Sequence, residues 1–150
     1  DFFLAAIDDD TNAFNAVMAT FGLPKSTPEL AKVRDLAIAE ATREATRVPL
    51  SVLKKVPALL ELAGEVGRIG NSNSLSDAGV AALAGLSGAE GAYYNVLINL
   101  DSLRELDQSA APDFLNVVRQ KASTALTQCE ELAATVRGTI RGQLESALDS

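Results

Sequence analysis

The chain has no histidine and a single cysteine, Cys129, among its 150 residues. The absence of histidine excludes the common zinc sites, the Ser-His-Asp triad and the Cys-His dyad. One cysteine cannot form an internal disulfide, which fits a reducing compartment, so we expect a cytoplasmic protein. Because no basic residue adjoins Cys129 to activate it, we expect a structural thiol. Any acid–base chemistry must then come from carboxylates, lysine, tyrosine, the thiol or the substrate.

Further absences narrow the choice of partners. Lysine and arginine number 13 against 20 aspartates and glutamates, which gives a net charge of −7, and there is no long basic run. A nucleic-acid partner normally requires a basic patch, so we expect none. There is also no apolar run long enough to span a bilayer and no signal peptide, so we expect no membrane partner.

The residues that are present favour helix. Hydrophobic residues make up 47% of the chain and aromatic residues only 5%, with alanine and leucine dominant. Apolar residues recur at helical spacing between breaks that contain Gly or Pro. No segment shows the alternation of apolar and polar residues that is typical of a strand. The sequence predicts an all-α fold, a single bundle of about five long helices. The predicted helices cover approximately 2–21, 28–47, 49–69, 74–100 and 112–148.

Asp10 is the one charged residue on an apolar helical stripe. The stripe consists of Phe3, Ile7, Asp10, Phe14, Val17 and Phe21, at intervals of three or four residues. If this face is buried, its apolar neighbours favour the neutral carboxyl of Asp10, which suits a proton shuttle near neutral pH. The spacing equally fits a carboxylate at the edge of the stripe that caps a helix or pairs with an arginine. Spacing alone leaves both interpretations open.

A second candidate is the nearly apolar segment 91–100, Gly-Ala-Tyr-Tyr-Asn-Val-Leu-Ile-Asn-Leu. Asn95 and Asn99 are about one turn apart and therefore share a face of the predicted helix. A buried side-chain amide costs free energy unless its donors and acceptors are paired. We therefore expect another helix, a second subunit or a ligand opposite this face.

For two further charged residues, a role in a binding site is suggested only by their position near a helix end. Asp77 lies in the first turn of the same predicted helix, where it favours the helix dipole or stands at the mouth of a pocket. Asp77 and Asn95 would be roughly 27 Å apart on a straight helix, too far to hold one small ligand together. Lys25 lies near a helix end, where it either aids solubility or binds an anionic ligand tail.

Several motifs, taken in order, resemble one known family. They are Leu23-Pro24-Lys25 after an Asp-rich helix, Val48-Pro49, Gly70-Asn71, Ser76-Asp77-Ala78-Gly79-Val80 and the segment 91–100. In this order they are similar to the cyclodeaminase domain of formiminotransferase-cyclodeaminase and to its stand-alone relatives, the methenyltetrahydrofolate cyclohydrolases. The resemblance runs from Ile7 to about Leu100, and the last helix matches in character only.

The resemblance implies an all-helical homodimer or higher oligomer. It implies a folate substrate, with or without a polyglutamate tail, and neither a metal nor a dissociable cofactor. It places the catalytic aspartate on Asp10. The substrate-binding candidates that the matched motifs supply are Asp77, Asn95, Asn99, Lys25 and Asn71.

One departure concerns the N-terminal part of the domain. The family's domain begins with two further helices and a Pro-Gly-Gly-Gly-Ser turn, and neither is present in this chain. The chain also starts inside an apolar-periodic segment without a start methionine. We therefore expect residues 1–150 to form one cyclodeaminase-like helical domain that is truncated at its N-terminus.

The function implied by the resemblance is that of a formiminotetrahydrofolate cyclodeaminase. Such an enzyme converts 5-formiminotetrahydrofolate to 5,10-methenyltetrahydrofolate and ammonia, a lyase reaction of one-carbon metabolism and histidine catabolism. A methenyltetrahydrofolate cyclohydrolase on the same scaffold is the alternative. A non-catalytic helical interaction module is a third interpretation, from a different class.

Overall fold

The computed structural model describes residues 2–106 and 112–149, and these residues form four long α-helices. The helices are α1 (Phe2–Phe21), α2 (Pro28–Ile69), α3 (Leu75–Leu106) and α4 (Pro112–Ser146), and a turn of 3-10 helix, Ser72–Ser74, precedes α3. None of the described residues forms a strand, which confirms the all-helical prediction. Within the same ranges, no helix combines the length and hydropathy that a membrane span requires.

The connection between α1 and α2 lies where the predicted helices 2–21 and 28–47 leave a break. The N–H of Gly22 donates to the carbonyl of Ala19 at 3.2 Å in the turn that ends α1, and Pro24 cannot continue a helix. Thr27 caps α2, because its hydroxyl oxygen accepts the N–H of Leu30 at 3.3 Å.

The predicted break at Pro49 is wrong, so the described residues contain four long helices and not five. An interior proline removes a helical hydrogen bond and costs about 3 kcal/mol. Burial of large apolar side chains offsets this cost at about 1.5–3 kcal/mol each, and α2 buries Leu53 and Leu60 completely. At Pro57, the thiol of Cys129 donates to the Leu53 carbonyl at 3.9 Å, which replaces the missing helical donor.

The third helix is longer than the sequence predicts. A connection was expected from residue 101, but α3 continues to Leu106, and its last turns hold an ion pair of 2.6 Å between Asp101 and Arg104. Such i,i+3 pairs support a helix end, because the cation lies near the negative end of the dipole. The rest of the predicted connection, residues 107–111, lies outside the described residues.

Contacts divide the chain into two compact units, and each unit takes segments from several helices. The first unit contains residues 2–52, 92–106 and 112–122, and the second contains residues 53–91 and 123–149. Both units have apolar cores. The first buries Ile38, Ala39, Val96, Leu100 and Leu103, and the second buries Leu53, Leu60, Ala82, Cys129 and Ala133.

Glycines allow close helix packing in the second unit. A Cβ added at Gly85 would lie 2.9 Å from Cδ2 of Leu59, and one at Gly64 would lie 3.0 Å from Cγ2 of Val136. Gly85 of α3 therefore has a packing role, because the absence of a side chain lets α2 come close. At Gly88, by contrast, an added Cβ would have no atom within 4 Å among the described residues, apart from its chain neighbours and the nearby backbone of its own helix.

Candidate functional site

A cleft of about 300 Å³ lies in the first unit, and three helices line it. Each helix contributes residues three or four positions apart, which is the spacing of one helical face. The lining residues are Asp10, Ala13, Phe14, Val17, Met18 and Phe21 of α1; Ile38, Thr42, Ala45 and Pro49 of α2; and Asn95, Asn99, Ser102 and Leu106 of α3. The cleft therefore combines a mostly apolar α1 wall with polar groups from all three helices.

Three residues singled out from the sequence meet in this cleft. They are Asp10 on α1 and the amides of Asn95 and Asn99 on α3. Asp10 and Asn95 are exposed and Asn99 is half-buried. Within the described part of the chain, none of these three side chains has a hydrogen-bond or ion-pair partner. One carboxyl group and two amides thus keep their polar atoms available to a ligand.

Of the two interpretations left open for Asp10, the structure does not show the buried one, because Asp10 is exposed. The stripe is helical as predicted, but α1 buries only Ala6, while Ile7 and Phe14 are more than 60% exposed. Asn95 is likewise exposed, although the apolar segment around it predicts burial. Periodicity determines which residues share a face and does not determine what covers that face.

The α2 wall offers hydrogen-bond acceptors that the sequence did not suggest. The Thr42 hydroxyl donates to the Ile38 carbonyl at 2.8 Å, so its oxygen can still accept. Pro49 has no N–H, so the carbonyl of Ala45 lacks its usual helical donor. The Val48-Pro49 motif is the sequence signal for this wall, because a proline within a helix leaves the carbonyl four residues earlier without its donor.

Arg34 is a second residue that the sequence reasoning missed. Its guanidinium carbon lies 5.5 Å from the ring centre of Phe21, one of the cleft residues. Its Nε is buried and has no hydrogen-bond partner among residues 2–106 and 112–149, and its ion pair with Asp35 is long at 3.8 Å. A cation with an unsatisfied donor beside an aromatic ring can bind an anionic group.

The remaining predicted site residues do not line this cleft. Lys25 is exposed in the connection between α1 and α2. Asn71 caps the 3-10 turn, where its side-chain oxygen accepts the N–H of Asn73 at 3.0 Å. Asp77 is exposed in the first turn of α3, where it favours the helix dipole. Their expected roles in substrate binding stay predictions.

Sequence comparisons agree with the motif resemblance and extend it. The family model described as formiminotransferase-cyclodeaminase matches residues 1–135, which carries the match beyond Leu100 into α4. The formimidoyltransferase-cyclodeaminase of Rattus norvegicus is 36% identical over 139 residues, 93% of this chain and 25% of that protein. The methenyltetrahydrofolate cyclohydrolase of Methylorubrum extorquens is 37% identical over 134 residues, 89% of this chain and 64% of that protein. The chain thus spans a quarter of the first relative's length and less than two thirds of the second's.

Proposed function

Because this chain belongs to the formiminotransferase-cyclodeaminase family, we propose that its cleft binds a reduced folate and converts 5-formiminotetrahydrofolate to 5,10-methenyltetrahydrofolate and ammonia. The observation that supports this proposal most strongly is the meeting of Asp10, Asn95 and Asn99 in one cleft. The relatives are longer than this chain, so the activity is proposed for the full-length protein that contains it.

The proposed reaction needs bond formation within one bound molecule and the transfer of a proton. N10 of the folate attacks the carbon of the protonated formimino group (N5–CH=NH2+), and the proton on N10 moves to the formimino nitrogen, which then carries three hydrogens. The carbon–nitrogen bond to that nitrogen then breaks, ammonia leaves, and N5 and N10 share the methenyl carbon. Asp10 is the proposed carrier of the proton, because its carboxyl can accept and donate in turn. Proximity of N10 to the carbon supplies a further part of the rate enhancement.

The proposed roles of the other cleft residues follow from their chemistry. The amides of Asn95 and Asn99 can both donate to and accept from the pterin ring. Phe14 and Phe21 offer apolar ring surface to the flat part of the ligand. No cofactor is part of the proposed reaction, and neither a metal nor a dissociable group has an assigned role.

Arg34, together with Lys25, is proposed to bind the carboxylates of the glutamate tail. Arg34 has the stronger support, because its buried Nε has no partner among the residues that the structure describes and its guanidinium lies over the Phe21 ring. Arg34→Met in the full-length protein should remove the gain in affinity that additional glutamate residues confer. An unchanged preference for the polyglutamylated ligand would exclude this role.

A second copy of the chain is the proposed cover for the apolar surface of α1. Leu4, Ile7 and Met18 are 65%, 63% and 49% exposed, and several large exposed apolar side chains on one helix favour an interaction site. Ile7→Glu should therefore shift the full-length protein toward smaller species in sedimentation. A monomeric parent protein would contradict the proposed homodimer.

The decisive assay supplies 5-formiminotetrahydrofolate to the full-length protein and follows ammonia together with methenyl absorbance. We expect equal amounts of both products. Binding of the folate without turnover would favour a non-catalytic module, and absence of both binding and turnover would exclude the folate function.

Hydrolysis of 5,10-methenyltetrahydrofolate is the second candidate function. It is supported by the cyclohydrolase relative, of which this chain covers a larger share than of the Rattus norvegicus relative. Here water would add to the methenyl carbon, the carbon–N5 bond would break, and the 10-formyl product would form with release of a proton. Loss of methenyl absorbance from added 5,10-methenyltetrahydrofolate, with no ammonia formed from the formimino substrate, would favour this function.

A further inference from the structure

Two prolines in α2 leave two carbonyl groups without their helical donors. An α-helix normally joins each carbonyl to the N–H four residues later. Pro49 and Pro57 have no N–H, so the carbonyls of Ala45 and Leu53 cannot make this bond. Both prolines are buried, and both lie within one uninterrupted helix. They therefore form a natural pair for comparison.

The Leu53 carbonyl has a partner inside the protein. The thiol of Cys129 donates to it at 3.9 Å, and the exposed fraction of both residues is 0%. A buried carbonyl without a donor costs about 1–3 kcal/mol, so this contact has a clear structural role. The carbonyl that Pro57 leaves without a helical donor, that of Leu53, thus receives a hydrogen bond from the packed thiol of Cys129.

The Ala45 carbonyl has a different environment. Ala45 and Pro49 both line the cleft that contains Asp10, Asn95 and Asn99. Within residues 2–106 and 112–149, no side chain donates a hydrogen bond to Ala45. A proline ring also crowds the carbonyl four residues earlier, which tilts that carbonyl away from the helix axis.

We propose that the Ala45 carbonyl is a main-chain acceptor for an N–H of the reduced pterin ring, and that Pro49 keeps this acceptor available. This inference rests on the proposed folate function. A carbonyl can accept but cannot donate, so it selects a ring edge that carries a hydrogen. The pterin edge bearing N–H groups then faces α2, and the amides of α3 contact another edge. Sites that hydrogen-bond a ligand group reject analogues lacking it far more strongly than apolar pockets do.

The first test restores the missing N–H in the full-length protein. Pro49→Ala and Pro49→Val both supply a donor to the Ala45 carbonyl, and valine keeps most of the volume of the proline ring. We expect both variants to bind 5-formyltetrahydrofolate on the order of tenfold more weakly, the value of one lost hydrogen bond. Pro57→Ala, the matched control in the same helix, should bind it as the parent does. Parent-like binding by both Pro49 variants would overturn the inference.

A second measurement needs no substitution. In parent protein carrying ¹³C-labelled alanine and leucine carbonyls, saturation with 5-formyltetrahydrofolate should shift the resonance of Ala45 and leave that of Leu53 in place. If the ligand binds and the Ala45 resonance does not move, this inference fails while the folate function stands. If the parent protein does not bind the ligand at all, both fail.

Discussion

The two compact units differ in how tightly their helices pack and in how many of their polar groups have partners within the protein. In the second unit, glycines bring helices into close contact, and Cys129 supplies the donor that Pro57 removes from α2. In the first unit, the cleft exposes a carboxyl, two amides and a proline-freed carbonyl that have no side-chain partner in the described chain. The three side chains are exposed or half-buried and converge in one cleft, so their polar atoms are available to a ligand. The difference supports the proposal that the first unit binds the ligand, while the contacts of the second unit contribute to stability.

Asp10→Asn should produce the largest effect, on activity and not on stability. Loss of a general acid–base group reduces turnover by about 10²- to 10⁴-fold. Asp10 is exposed and makes no hydrogen bond within the described chain, so the melting temperature should stay constant. Ammonia release by the full-length protein measures the effect. Asp9→Asn is the matched control, because Asp9 is also exposed on α1 but does not line the cleft. Equal activity of the two variants would exclude the proposed role of Asp10.

Leu60→Ala should have the largest effect on stability. Leu60 is 0% exposed in the second unit, and such substitutions cost about 2–5 kcal/mol through lost burial and a residual cavity. Chemical denaturation of the full-length protein measures the loss. Leu62→Ala, on the same helix but 61% exposed, should change the free energy of unfolding by less than about 0.5 kcal/mol. Similar losses in the two variants would contradict the described core.

Asn95→Ala and Asn99→Ala should weaken folate binding by a smaller factor. Each removes a side chain that can make a hydrogen bond worth about 0.5–1.5 kcal/mol, which corresponds to an affinity loss of about 2- to 13-fold. Titration calorimetry with 5-formyltetrahydrofolate measures the change. Asn15→Ala serves as control, since Asn15 is exposed on α1 and does not line the cleft. Unchanged affinity in both Asn95 and Asn99 variants would remove the amides from the site.

Much of the fold and part of the site could be predicted from the sequence. Helical periodicity and the positions of glycine and proline were sufficient for α1 and for the start of α2. The proline rule failed at Pro49, because a local cost is outweighed by burial along α2 that a local rule cannot include. Periodicity also placed Asp10 and Asn95 on helix faces without showing their exposure. Their meeting in one cleft follows from tertiary packing, and before the structure only the family resemblance linked them.

Substitution of two glycines in α3 tests whether close helix packing stabilises the second unit. Gly88→Ala should stabilise the protein by about 1 kcal/mol, because alanine is the better helix former and the added Cβ meets no other helix of the described chain within 4 Å. Gly85→Ala should be less stable than Gly88→Ala by about 1–3 kcal/mol, since its Cβ would lie 2.9 Å from Leu59 and crowd the core. Denaturation midpoints give the difference directly. Equal stabilisation at both positions would show that Gly85 is not needed for close packing.

Cys129 should give the smallest effect, a dependence of stability on pH. Burial, and secondarily the charge of Glu130, raises the pKa of the Cys129 thiol. The folded state therefore favours the neutral thiol more than the unfolded state does. This contribution is fully present below the ordinary thiol pKa of about 8.5 and is lost as pH rises through the folded value. Between neutral pH and pH about 10, the parent should lose more stability than Cys129→Ala. Parallel pH profiles would contradict the described environment of the thiol.

The most direct measurement is an experimental structure of the full-length protein with bound 5-formyltetrahydrofolate. We predict that the pterin ring occupies the cleft of the first unit, with Asp10 facing the N5–N10 region and Asn95 and Asn99 bonded to the ring. An ordered folate bound at other residues, with this cleft empty, would contradict the assignment of the site.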